Sequence, residues 1–270
     1  FLKSNAERMI SWSNSFSLKN GYSPNFNDSY RNNLNLSDLR KYQKFLEIPK
    51  INLGLGESGF RKIVKKNYSI FLDIGNIVAN HQPGHSHADN LNFELLVGDI
   101  PVIVDTGVST YESGTIRDYQ RSTEAHNTVT INGNSSSQMW DVFKVAKRAT
   151  TKIINQNPNY IYCKHDGFKD LNVFHYRSWD FKEKKIIIKD ELKGNISNLA
   201  NSFFHLHPKV KIKKITEDKF NFGLCNIEFL GDIDEVKLLD YNHAADFNVL
   251  NKSVCISVAF TKKLKTIIKF

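Results

Sequence analysis

A chain of 270 residues has room for one large β domain, or for one domain and part of another. Hydrophobic residues at 40% and aromatic residues at 12% exclude a low-complexity disordered chain, and no apolar run approaches the roughly 18 residues that cross a bilayer. The net charge of +9 suits an anionic partner without choosing between nucleic acid, anionic lipid and acidic polysaccharide.

The chain opens on Phe1 with no initiator methionine and no signal-peptide pattern, so it reads as the middle of something longer. Apolar residues at Met9, Ile10, Trp12 and Phe16 predict a helix over Ala6–Phe16. A loop rich in Asn, Ser, Gly and Pro follows from Lys19 to Asn35. Ser37 is then a plausible N-cap for a helix over Asp38–Leu46, with Leu39, Tyr42, Phe45 and Leu46 as its apolar stripe. Pro49 and Gly54, Gly56 and Gly59 end helical territory. Two short helices and a long loop make a poor core of their own, so residues 1–62 are expected to be the end of a helical domain and a linker.

From Ile63 onward the pattern is β, and residues 63–270 are expected to form one domain. Predicted strands are Ser69–Ile74, Leu91–Val97, Val102–Asp105, Thr128–Ile131, Ile153–Asn155, Tyr160–Lys164, Val173–Asp180 and Lys185–Glu191. Further along come Ser202–His207, Val210–Ile215, Glu228–Leu230, Ser253–Phe260 and Lys265–Ile268. Turn signals such as Asn132-Gly133, Asn157-Pro158 and Lys193-Gly194-Asn195 separate them. Many short strands without helical segments between them predict a mainly β protein, a large antiparallel sandwich. Lysine strings such as Lys209-Val-Lys211-Ile-Lys213 and Lys262-Lys-Leu-Lys265 read as solvated strand faces, with a binding groove as the alternative. Cys163, Cys225 and Cys255 contain no CxxC pair and leave room for one disulfide but no disulfide framework.

The chemistry is concentrated between His81 and Lys147. His87, Asp105 and His126 supply two imidazoles and a carboxylate, a set suited to Zn²⁺ with one position open. Asp105 closes an apolar strand, where a lone buried carboxylate is costly and a metal would satisfy it. The plainer alternative is that these residues are hydrogen-bonded neighbours or never meet. His85 is a candidate acid or base, since imidazole both gives and takes a proton near neutral pH, and otherwise a donor to substrate. His205 and His207 alternate with Phe204 and Leu206, so both rings fall on one strand face, in a cleft or on an ordinary polar surface. Tyr111, Tyr119 and Arg121 lie between Asp105 and His126, and Arg121 has the fork to pair with a substrate carboxylate.

Gly84-His-Ser-His-Ala-Asp89, Val104-Asp-Thr-Gly107 and Arg121-Ser-Thr-Glu-Ala-His-Asn-Thr128, in that order, resemble the C-terminal signature of heparinase II/III-like proteins, a family of heparin, heparan sulfate and alginate lyases. The resemblance extends to Val145-Ala-Lys-Arg148 and Phe204-His-Leu-His-Pro208. Upstream, Pro24-Asn-Phe-Asn-Asp28-Ser29 resembles the loop near the end of that family's helical toroid.

The resemblance implies an (α/α) toroid paired with a β-sandwich and an active site between them, of which this chain would hold half. It implies β-elimination at a uronic acid in an acidic polysaccharide, with His85 catalytic or neutralising the substrate carboxylate and His87, Asp105 and His126 as zinc ligands. Tyr119 is taken as a second catalytic candidate, and Tyr111, Arg121 and His205 as substrate-binding. The missing partner would be the toroid of the same parent, nucleic acid and a membrane span are not expected, and location outside the cytoplasm, periplasmic or secreted, follows from the resemblance alone. Two other readings stay open: a catalytically silent, zinc-pinned carbohydrate-binding or structural sandwich, and a zinc hydrolase.

Overall fold

The computed structural model describes residues 2–29, 36–49, 54–78, 80–194 and 199–270; Asn195 of one expected turn and the last part of the expected Lys19–Asn35 loop lie outside them. Helix α1 spans Leu2–Phe16 and α2 spans Leu36–Phe45. Strands β1 (Phe60–Val64), β2 (Tyr68–Asp73), β3 (Asn92–Val97) and β4 (Ile100–Ile103) form a four-stranded antiparallel sheet in sequence order. The seam drawn at residue 62 therefore falls inside a strand. A seven-residue helix, α3 (Thr115–Arg121), follows and was not expected.

After it come β5 (Val129–Ile131), the small pair β6 (Met139–Trp140) and β7 (Lys144–Val145), β8 (Thr151–Asn157) and β9 (Tyr160–His165). Strands β10 (Val173–Lys182), β11 (Lys185–Gly194), β12 (Ala200–His205), β13 (Lys213–Thr216) and β14 (Lys219–Asn221) lead to β15 (Asn226–Asp246) and β16 (Val249–Lys269). Except for β6 and β7, these strands make a ten-stranded sheet in the order β13-β14-β15-β16-β11-β10-β9-β8, with β12 paired to β16 and β5. Every described pairing is antiparallel. The expected mainly β sandwich is what forms.

Period-two alternation explains the layers. On β2, Ile70 and Leu72 join the main core with Phe93 and Leu95 of β3 and, from the larger sheet, Ile161, Trp179, Ile186 and Phe204. The opposite face of the same strands puts Phe71 and Leu96 against Phe16 and Phe26 of the N-terminal segment, with Trp12, Tyr22 and Phe60 packed around them. Both faces of the four-stranded sheet are thus covered, which is why all six residues of β2 are buried. Each such aromatic removed from water contributes about 1.5–3 kcal/mol, enough to fasten residues 2–29 to the sandwich. The attachment is polar as well. Buried Glu94 on β3 accepts from the Asn25 backbone N–H at 2.9 Å, the Asp105 N–H at 3.1 Å and the Tyr22 hydroxyl.

Candidate active site

Three loops meet at one end of the sandwich. The His81–Asn90 segment joins β2 to β3 and is stitched at both ends: Asp28 N–H donates to the His85 carbonyl at 3.2 Å, His87 N–H to Asn27 Oδ1 at 2.9 Å, and Ala88 N–H to the Arg121 carbonyl at 3.0 Å. The N-terminal loop and the end of α3 therefore fix where the two histidines stand.

Asp28 is the hub. Its carboxylate accepts both arms of the Arg117 guanidinium, Nη1 at 2.5 Å and Nη2 at 2.8 Å, a two-pronged pair in a buried place. The same oxygens take His87 Nε2 at 2.7 Å and His85 Nδ1 at 3.0 Å. Burial alone would raise the pKa of Asp28, but hydrogen bonds from His87 and Arg117 and their charges reverse it, and the carboxyl is held well below its usual range. His87 is fully buried; that burial, partly offset by Asp28, lowers its pKa to about 4, so at neutral pH its ring is uncharged. The His85 side chain is 66% exposed. Its Nδ1 is committed to Asp28, which leaves Nε2 as the nitrogen for chemistry on the open side. Tyr111 and Phe143 wall that side, with ring centroids 6.0 and 5.5 Å from His85, and the Arg117 guanidinium lies 5.0 Å from the Tyr111 ring.

Behind His87 lies a second carboxylate–imidazole pair. His126 Nδ1 is 2.8 Å from Asp105 Oδ2, and the His87 and His126 ring centroids are 5.3 Å apart. Asn92 Nδ2 donates to Asp105 Oδ2 at 2.5 Å, and the Gly107 N–H donates to Oδ1 at 3.0 Å. Burial works against the charged form of Asp105 but is outweighed by His126, and its pKa is lowered. Two ring nitrogens here, His87 Nδ1 and His126 Nε2, are buried without a hydrogen-bond partner among the described residues.

The family described as heparinase II/III-like, C-terminal, matches residues 50–244. This chain belongs to it. No curated protein matches the chain. Among solved structures, a mutant of the heparan sulfate lyase HepC from Pedobacter heparinus superposes with a TM-score of 0.77 at 16% identity, and a heparinase III with a TM-score of 0.72 at 18% identity. In each case the match covers 97% of this chain and 46% of the other, so the chain spans less than half the length of those structures. At such identity the likeness shows the fold.

Within this heparinase II/III-like domain, His85, His87 and Tyr111 come together as one cluster. Asp105 and His126 adjoin it. Of the three residues expected to share a metal, Asp105 and His126 are hydrogen-bonded to each other, while His87, its ring centroid 5.3 Å from that of His126, is bonded to Asp28; among the described residues no three His, Cys, Asp or Glu side chains form a set placed to hold a metal ion. Asp105 accepts from Asn92 and Gly107 and backs His126. Arg121, expected to clamp a substrate carboxylate, is buried with its Nη groups given to the carbonyls of Ser86, Asp141 and Lys144. It braces the histidine loop instead.

Tyr119 and His205 line a different space, a cavity of about 480 Å³ with Phe203, Tyr241 and Cys255, which His85 and His87 do not line. Arg117 and Arg121, four residues apart on α3, reach the histidine loops while Tyr119 lines that other cavity. Burial raises the Tyr119 pKa, so its hydroxyl keeps its proton, and burial lowers that of His205 to about 3.

Asp28 and Arg117 were missed as site residues. The Pro24–Ser29 motif was visible as a motif, but nothing local says that a carboxylate 57 residues before His85 will face it. Arg117 carried one signal, its i, i+4 spacing from Arg121, and α3 itself was not foreseen.

Proposed function

We propose that this domain supplies one wall of the active site of a polysaccharide lyase that cleaves acidic, uronate-containing glycans by β-elimination. The observation that carries the reading is the exposed His85 ring held through Nδ1 by a buried Asp28–Arg117 pair. That arrangement fixes the tautomer and leaves an imidazole nitrogen facing the open side, the geometry of a positioned acid or base. Family membership, and a fold shared with a heparan sulfate lyase, support the reaction class.

In the elimination a base removes the C5 proton, the C4–C5 double bond forms, the C4–O4 bond breaks and O4 leaves with a proton. The C5 proton is acidic enough only when the adjacent carboxylate is neutralised by donors or positive charge. His85 is suited to that neutralisation, or to the proton transfer. Tyr111 beside it would contact the sugar. Exposed apolar side chains on α1 and α2, Met9, Tyr42 and Phe45, offer surface for a helical partner, which would bring the opposite wall.

Zinc is part of the proposal in a restricted form. The donor chemistry fits at two positions, His87 Nδ1 and His126 Nε2, which are buried imidazole nitrogens without partners, a costly condition that a cation would relieve. Asp105 would orient His126 from behind, as carboxylates do for metal-bound imidazoles. Bound zinc would supply positive charge and pin the histidine loop.

The deciding experiment incubates the enzyme that carries this domain with heparan sulfate and with polyuronates and follows the ultraviolet absorbance of the conjugated unsaturated uronate. Appearance of that product, lost in His85→Ala, is the expected result. Hydrolysed, saturated ends would turn the reading toward a hydrolase, and no product from any uronate polymer would leave only the binding role. Metal analysis of the purified chain should find zinc that disappears in His87→Ala and in His126→Ala; a metal-free native chain ends the zinc proposal.

A further inference from the structure

The ten-stranded sheet has an outer face that the active-site reading does not use. On β9 and β10, Cys163, His165, His175 and Arg177 point inward and are buried, so Tyr162, Lys164, Phe174 and Tyr176 point the other way. The inward Arg177 reaches the carbonyls of Leu91 and Asn127, next to the His126 pair. The outer face therefore lies across the sheet from the candidate cleft.

Two features of this face suit a ligand that carries both rings and negative charge. Lysines stand directly opposite lysines across neighbouring strands, Lys152 against Lys164 and Lys189 against Lys265, and like charges in that relation destabilise a sheet. Between them runs an aromatic shelf: Tyr160 and Tyr162 have ring centroids 6.4 Å apart, and Tyr162 and Tyr176 are 5.9 Å apart at an interplanar angle of 34°. The acids on the face are already engaged, Glu191 with Lys193 and Lys263, Asp180 with Lys182 and Glu228 with Lys269. None of those ion pairs answers the Lys189–Lys265 pair.

We propose that this outer face is a second binding surface for an acidic polysaccharide, separate from the cleft and non-catalytic. The proposal takes its ligand class from the glycan reading above, yet it does not need the domain to cleave anything. Sugar rings would lay their C–H faces on the Tyr160–Tyr162 shelf while carboxylate or sulfate groups meet Lys189 and Lys265. Nucleic acid also offers flat rings and anions. Here, however, the ammonium groups of Lys193 and Lys164 already lie 4.4 and 5.7 Å from the Tyr176 ring centre. Lys193 is already paired with Glu191, but Lys164 makes no described ion pair and stands on that ring for an anion to meet, which favours a ligand dense in charge over one that stacks base on base.

Binding of this chain to immobilised heparan sulfate and to alginate is the test, with single-stranded DNA as competitor and thermal melting as a check that each variant folds. Tyr160→Ala with Tyr162→Ala, and separately Lys189→Glu with Lys265→Glu, should each weaken binding by about tenfold, and the charge-reversed pair should also flatten the salt dependence. In a His85→Ala background, which alters the cleft, each paired variant should still lose about tenfold. Affinity unchanged in both paired variants overturns the proposal, as does displacement by DNA as readily as by free glycan. If the enzyme that carries this domain makes no unsaturated product while the two variants lose glycan binding, the lyase reading falls and this surface stands; the reverse result would do the opposite.

Discussion

At the scale of single residues, the candidate site rests on a few side chains that cannot be exchanged cheaply. Asp28 balances a buried Arg117, and removing one partner of a buried pair leaves the other charge uncompensated at a cost of about 3–5 kcal/mol. Asp28→Asn should therefore lower thermal stability and, in the enzyme, cut turnover by releasing the His85 ring; an unaltered melt would show that Arg117 has another counter-charge. Gly107 is the backbone counterpart. Its φ is +74°, and a Cβ there would stand 2.6 Å from the Ala244 carbonyl oxygen, where neither can yield easily. Its N–H also donates to Asp105. Gly107→Ala should destabilise the fold by at least about 1–2 kcal/mol in denaturant titration and disturb Asp105. A neutral result would mean that the β15–β16 hairpin is free to retreat.

At the scale of elements, the strands that alternate cleanly were legible and those that do not were not. Residues 173–182 alternate inward and outward, and that strand stands where expected, two residues longer. The 21-residue hairpin arms β15 and β16 were not legible. Ser253–Phe260 and Lys265–Ile268 read as two strands because Thr261-Lys-Lys263 interrupts the apolar pattern, yet the ladder runs on with irregular register near Gly231 and Ile233. Helix α3 was hidden because two of its buried residues are arginines, whose partners are loops rather than a core. The metal-type residues were legible by kind, whereas the hub that organises them was not, since Asp28 reaches them only through tertiary packing. One further device binds the elements together. Leu91 enters β3 with φ of +65°, an expensive backbone for a leucine, and its carbonyl is held by Arg177 at 2.9 Å. Arg177 also donates to the Asn127 carbonyl, and its charge is met by Asp190 at 2.6 and 3.1 Å. Arg177→Met should cost about 3–5 kcal/mol, because it strands the buried Asp190 and frees both loops beside His126. An unchanged unfolding midpoint would mean that Leu91 and Asn127 are held by the core alone.

Over the whole molecule, the same buried network makes stability depend on pH in a definite direction. His165 Nε2 lies 3.0 Å from His175 Nδ1, and His175 Nε2 lies 2.7 Å from Asp190. Burial lowers the pKa of both, most strongly that of His165, where the charges of His175 and Arg177 act in the same sense; for His175 the bond to Asp190 opposes it only in part. In the unfolded chain each histidine titrates near about 6.5, so below that pH the unfolded state binds protons that the folded state refuses. Stability is therefore full above about pH 6.5 and falls as the solution is made more acidic, by about 1.4 kcal/mol per pH unit for each histidine kept neutral. Asp73, raised to about 6 by burial, and Asp89, which burial raises well above the ordinary carboxylate value, act in the opposite sense over part of the same range, so the native curve alone is a mixture. A difference measurement separates them. His165→Gln should be less stable than the native chain at pH 7.5, having lost a ring that bridges His175 and the Gly167 N–H. The gap should close as the pH falls from 6.5 toward 5, because the native chain alone still holds an uncharged ring at that position. A gap that stays constant across the range would mean that His165 takes its proton in the folded state, and that the sheet interior around Asp190 is wetter than its geometry implies.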